Sequence, residues 1–220
     1  MKNYKLLTLF LVLNVVFKIL SDVTAGKIID VFGYGVAVTV IYFPVVYIIS
    51  DLMTEVYGYT VAKRILQYTL LSSVLVAVFT QLMLIVPPAP FFQNNDAYKT
   101  VFGIVPRVVI GGWIGVYFGD ISNNYVMAKV KLWTKGKYLP LRTISSTLVG
   151  QFIDTSLFYT IGLSGVIPIN LLLSGILVGW LSKTALEVLL TPVTCFVIKI
   201  VKKVEAEDYY DNETNFNPFK

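Results

Sequence analysis

The sequence predicts an all-α integral membrane bundle of six transmembrane helices, with both termini cytoplasmic, from three observations. Of 220 residues, 56% are hydrophobic and only 14% charged, with a mean hydropathy of +0.73. A soluble domain carries about 25% charged residues, so this chain has roughly half the charge that a water-facing surface needs. Apolar runs also recur at lengths close to the roughly 20 residues that cross about 30 Å of hydrocarbon. Finally, Lys and Arg concentrate in alternate connections, the asymmetry that orients a bundle.

The six segments are 4–25, 34–50, 65–86, 108–128, 143–163 and 171–200. Lys2 and Lys5 before the apolar run, with Val23-Thr24-Ala25 as a weak cleavage site, resemble a signal peptide. Asn14, Lys18 and Asp22, however, recur every fourth residue, and a cleaved leader has no use for a polar helical face. Segment one is therefore expected to be a retained span. Pro44 is expected to interrupt span two, and Pro192 to kink or end the over-long sixth. Lys63 and Arg64 follow span two, and Lys129, Lys131, Lys135, Lys137 and Arg142 crowd the loop after span four. Lys199, Lys202 and Lys203 follow span six, whereas the alternate side holds only Lys27, Lys99 and Arg107. Residues 87–106 read as an outer, interfacial or partly re-entrant loop, and residues 164–170 as a short outer turn. Residues 1–204 thus form one transmembrane domain, and 205–220 a short cytoplasmic tail, either solvated or docked by its aromatics under the bundle.

The same counts prune the chemistry. With no His and one Cys, Ser-His-Asp and Cys-His catalysis, imidazole metal sites and disulfide frameworks have no residues to build them. No cofactor ligand set is left, and no enzymatic role is expected. The net charge of +5 follows the positive-inside pattern, so nucleic acid is not an expected partner. The lipid bilayer is.

Ionisable residues at the centre of a span cost roughly 2.5–3.5 kcal/mol each on insertion scales, so those present mark candidate sites. Asp51 and Glu55 are four apart, on one helical face at the end of span two. Gly111, Gly115 and Gly119 make small-xxx-small steps for close helix approach, within the bundle or against a second copy as a homodimer. Asp120, Asn123 and Asn124 extend that helix's polar face. In span five, Gln151 and Asp154 are three apart with Thr147, Thr155 and Phe158 on the same side. Asp154 lies about 12 residues, roughly 18 Å, beyond Arg142, close to the midplane where transporter sites lie. Span six offers Lys183 and Glu187, either a structural ion pair or a substrate-facing one. Arg107 is a gate or an interfacial anchor. Asp51, Asp120 and Asp154 are candidates for proton coupling.

At these residues the chain resembles the queuosine precursor transporter family, also called the vitamin uptake transporter family. The likeness is carried by Phe43-Pro44 leading to Asp51-Leu52 and Glu55-Val56-Tyr57-Gly58-Tyr59, then Ala62-Lys63-Arg64. It continues through Arg107 with its glycine-rich helix, Ser145 to Thr155, Lys183 before Pro192, and the ending Thr214-Asn215-Phe216-Asn217-Pro218-Phe219. In one departure, the family pattern has an acid near position 123, where this chain has Asn123 and a carboxylate at Asp120 instead. The resemblance implies import of a 7-deazaguanine, such as preQ0, preQ1 or queuine, across the plasma membrane for tRNA queuosine modification, by alternating access about a midplane site. Asp154 or Glu187 would accept the ligand's N–H donors, and Gln151 or Lys183 would donate to its carbonyl. Phe158, Phe152 or Trp180 would stack on it. Asp51, Glu55 and Arg107 complete the expected set. The alternative is the substrate-binding membrane subunit of an ATP-driven vitamin importer. With no Gly-Lys-Ser/Thr phosphate loop in the chain, partner chains would then supply the energy.

Overall fold

The computed structural model describes residues 4–24, 27–31, 34–103, 105–162 and 169–216. Among the described residues there are seven α-helices: α1 Leu7–Thr24, α2 Phe43–Leu52, α3 Tyr59–Ile85, α4 Asn95–Phe102, α5 Val105–Trp133, α6 Leu139–Leu157 and α7 Ile169–Glu205. Short π-helical turns extend two of them, Met53–Tyr57 after α2 and Phe158–Gly162 after α6.

Apolar and polar positions are inverted relative to a water-soluble bundle. In α1, Leu9, Val12, Val16 and Leu20 are exposed, whereas Asn14, Lys18, Ser21 and Asp22 are buried. The fourth-residue stripe therefore faces inward, where Lys18 donates to Asp22 and Thr69 of α3 donates to Asn14. Exposed Leu71, Leu75 and Phe79 on α3, and Leu173, Leu181 and Phe196 on α7, continue the apolar perimeter. Among the described residues, three helices are long and apolar enough to cross a membrane by length and composition: Leu7–Thr24, Tyr59–Ile85 and Leu172–Glu205. α5 and α6 have the length, with 29 and 19 residues, but polar side chains of the interior dilute their hydropathy.

Span two differs most from expectation. Residues 34–42 are not part of its helix. An antiparallel hairpin pairs β1 Ile28–Val31 with β2 Tyr34–Ala37, Ile28 opposite Ala37 and Val31 opposite Tyr34. A 3₁₀ turn, Val38–Ile41, follows. β-branched residues favour pleated backbone, and this stretch is rich in them. Pro44 starts α2 and does not interrupt it, because proline in the first helical turn forgoes an N–H that has no partner there anyway. Pro192 lies inside α7, which continues past it to Glu205. The predicted outer loop contains the exposed α4, and Gln81 of α3 donates to the Phe102 carbonyl at 2.9 Å. Residues 164–168 of the predicted outer turn lie outside the described residues.

The glycine stripe is used within the chain. A Cβ on Gly115 would stand 2.8 Å from both the Asp154 carbonyl and its carboxylate, and one on Gly119 only 2.7 Å from Asp154 Cβ. A Cβ on Gly150 would lie 2.9 Å from the Gly119 carbonyl. The α5 and α6 backbones can approach this closely only because those positions lack side chains.

The start of α1 and the end of α7 meet at one end of the bundle. The Glu205 carboxylate accepts the Lys5 and Leu6 backbone N–H groups at 2.9 and 2.6 Å and the Tyr57 hydroxyl at 2.8 Å. The largest apolar cluster sits there, with Ile49, Leu52, Met53, Val56, Ala62 and Ile198. The segment after Glu205 is docked: the Tyr209 backbone N–H donates to the Val56 carbonyl at 3.2 Å. Asp211 accepts the first N–H of α3, from Tyr59, at 3.2 Å. The Phe216 ring packs on Tyr59 and Tyr125 under the Lys129 ammonium. At Gly58, φ is +88°, and the missing Cβ leaves room for the Tyr209 ring.

Candidate functional site

Four helices turn a polar stripe toward a common interior, each with the three- and four-residue spacing of one helical face. α2 and the π-helical turn after it contribute Tyr47, Ser50, Asp51 and Thr54; α5 contributes Asp120, Asn123 and Asn124; α6 contributes Thr147, Gln151, Asp154 and Thr155; α7 contributes Lys183, Thr184 and Glu187. All but Lys183 are buried, and Asp51, Asn123 and Thr155 have no exposed surface.

The contacts form a ladder along the bundle axis. Asn123 donates to Asp51 Oδ1 at 2.8 Å. Ser50 donates to Asp120 at 2.9 Å, and Thr54 to Asn124 Oδ1 at 2.7 Å. Thr147 donates to Glu187 at 2.8 Å, and the Gln151 amide stands beside Glu187 and Tyr47. Lys183 Nζ pairs with Asp154 Oδ2 at 2.9 Å, an oxygen that Tyr47 approaches at 3.5 Å. The predicted residues Asp51, Asp120, Gln151, Asp154, Lys183 and Glu187 are thus brought together. Lys183 pairs with Asp154 across helices, while Glu187, one turn further along the same face of α7, meets Thr147.

Several buried polar atoms in this interior lack a protein partner: Asp51 Oδ2, Asn123 Oδ1, Gln151 Oε1, Asn124 Nδ2, and the Thr155 and Thr184 hydroxyls. Buried polar atoms are nearly always hydrogen-bonded, and an orphaned one costs about 1–3 kcal/mol. Their concentration in one place fits a surface that a hydrogen-bonding ligand completes.

Glu55 sits one turn from Asp51 but faces a different environment. It has no exposed surface and is held by three cations. The Arg142 guanidinium donates to both its oxygens at 2.7 and 2.5 Å, Lys202 lies at 2.5 Å and Lys131 at 3.4 Å. Asp208 of the tail joins through Lys131 and Lys202 at 2.5 and 2.8 Å. Burial alone would raise the Asp208 pKa, but hydrogen bonds from the two ammonium groups outweigh that and hold it below the usual carboxylate value. This cluster ties the turn after α2, α5, α6, α7 and the tail together at the termini end. Sequence reading assigned its Lys and Arg to topology alone; their shared signal is that each lies at the end of a helix bordering that face.

The proposed stacking residues separate. Phe152 and Trp180 pair edge-to-face at 5.3 Å on the perimeter, and the Trp180 indole N–H donates to the Leu148 carbonyl at 3.0 Å. Phe158 lies in the π-helical turn after α6, close to Gly112 and Tyr159. The Arg107 side chain lies outside the described residues. Tyr47, missed in the sequence, is four residues before Asp51 on the same face, and that spacing was the available signal.

Residues 37–197 match a family model described as "Putative vitamin uptake transporter". The chain is also 23% identical over 186 residues to a protein of Bacillus subtilis (strain 168) named "Probable queuosine precursor transporter". That alignment covers 84% of this chain and 81% of the relative. No solved structure matches. The family match takes in well over half of the chain and agrees with its lipid-suited perimeter, so this membrane protein belongs to the vitamin uptake transporter family.

Proposed function

We propose that the protein imports a queuosine precursor, a 7-deazaguanine such as preQ0, preQ1 or queuine, across the plasma membrane for tRNA queuosine modification. The observation that carries this reading is the interior polar ladder with its orphaned acceptors, in a chain of this family. A guanine-like edge presents adjacent N–H donors that one carboxylate accepts together, while its carbonyl needs a donor. Glu187, held by Thr147 with the Gln151 amide beside it, takes the N–H pair. Gln151 and Lys183 serve the carbonyl, Asp154 holds the Lys183 ammonium in place, and Phe158 borders the ring.

In this reading the chain crosses the membrane six times with both termini cytoplasmic. The Glu55–Arg142–Lys131–Lys202 cluster is then the cytoplasmic closure, and alternating access requires it to part. Asp51 and Asp120, buried beside further acids, are the groups through which protons couple to the cycle.

The test is the queuosine content of tRNA in a host unable to make it, fed each precursor separately. Expression should restore queuosine with at least one precursor. No restoration by any, with the protein present in the membrane, overturns the proposal. Uptake into proteoliposomes by the purified chain alone separates a self-sufficient carrier from the subunit of an ATP-driven importer.

A further inference from the structure

The interior is richer in acid than a neutral ligand requires. Asp51, Asp120, Asp154 and Glu187 are all buried there, and among the described residues Lys183 is the ammonium in contact with them, already paired with Asp154. Arg142, Lys131 and Lys202 are committed to Glu55 and Asp208 at the termini end. Around Asp51 the charged neighbours are Glu187 from α7, Asp120 from α5 and Glu55 from the turn after α2. Buried charges are stable when paired, and among the described residues these four acids share one contacting ammonium, a deficit of cationic partners.

The orphaned atoms locate the deficit. Asp51 Oδ1 takes the Asn123 amide N–H, which leaves Asp51 Oδ2 and Asn123 Oδ1 both without partners. The carboxylate fixes the Asn123 orientation, since the flipped amide would set oxygen against oxygen. Two buried acceptors on these facing side chains, one of them a carboxylate oxygen, suit an ammonium, which has three N–H groups to donate.

Building on the deazaguanine reading above, we propose that the site takes its ligand as a cation. A 7-deazaguanine bearing a protonated aminomethyl arm, preQ1, is preferred over its uncharged nitrile counterpart, preQ0. The arm's ammonium sits against Asp51 Oδ2 and Asn123 Oδ1, and the ring edge faces Gln151 and Glu187. An alkylamine, like the Lys side chain, is charged at neutral pH, and a hydrogen bond to a charged partner contributes more than one between neutral groups.

The experiment measures uptake of preQ1, preQ0 and N-acetylated preQ1 into proteoliposomes holding the full-length protein at pH 7. Wild type should favour preQ1 over both neutral compounds by at least about tenfold. Asp51→Asn should lower that ratio by about tenfold, and Asp51→Glu should restore part of it. The acetylated compound probes the same charge with no substitution, so a poorly folding variant does not blunt the test. Equal uptake of the three by wild type overturns the amine preference while the deazaguanine reading stands. Uptake of none removes that reading, and this inference with it.

Discussion

Glu55→Gln keeps the volume of the side chain and removes one charge from the centre of the termini-end cluster. Glu55 has no exposed surface and Arg142 is 1% exposed, with two hydrogen bonds of 2.7 and 2.5 Å between them. Removing one partner of a buried ion pair costs about 3–5 kcal/mol, because the other charge remains buried and unpaired. Here Arg142, Lys131 and Lys202 would all be left beside a neutral amide, with Asp208 the acid remaining close by. For a chain of this length about 1 kcal/mol corresponds to roughly 2–4 °C in Tm, so Glu55→Gln should lower Tm by about 6–20 °C. The assay is thermal unfolding of the detergent-purified protein at constant salt. If these basic residues were solvated markers of topology, the pair would contribute about 0–1 kcal/mol and Tm would fall by no more than about 4 °C. A fall that small would refute the buried cluster.

Other substitutions separate the parts of the structure. Gly119→Ala places a Cβ 2.7 Å from Asp154 Cβ; overpacking costs about 1–3 kcal/mol, so Tm should drop and transport should fall as α6 is displaced. Asp211→Ala removes the acceptor at the α3 N-terminus and should cost about 1 kcal/mol, read in the same thermal assay, with faster proteolysis of the tail. Trp180→Phe should leave the KM for a transported deazaguanine within about twofold, because Trp180 pairs with Phe152 on the perimeter; a tenfold rise would return it to the site. Asp208 has a depressed pKa in the folded protein, so its stabilising contribution is complete above its unfolded value of about 3.9 and is lost as pH falls through the lower folded value. Wild type should therefore lose more stability than Asp208→Asn on acidification from pH 5 to pH 3.

The interior polar cluster was more legible in the sequence than the connections were. Asp154, Gln151, Asp120 and Asp51 stood out because a charged or amide side chain in an apolar run has few physical explanations. Helical spacing also showed which of them shared faces. Spacing within one helix does not reveal partners on another, so the pairing of Lys183 with Asp154 required the packed bundle. Hydropathy reads Val36, Val38 and Val40 the same in a hairpin, a 3₁₀ turn or a span, which hid the structure before α2. The basic residues at helix ends obey the positive-inside pattern whether solvated or buried. Arg142 and Lys131 were thus assigned to topology, and only Glu55 in their midst distinguishes the two cases. The docked tail was one of two readings; Asp211 on the α3 N-terminus and Tyr209 over Gly58 decide it.

Equilibrium binding of radiolabelled preQ1 to purified wild-type and Asp154→Asn protein tests most directly whether the interior ladder is the substrate site. Wild type should bind saturably, and Asp154→Asn, which frees Lys183 from its partner, should bind at least about tenfold more weakly while remaining folded. Equal binding by two folded proteins would place the substrate elsewhere.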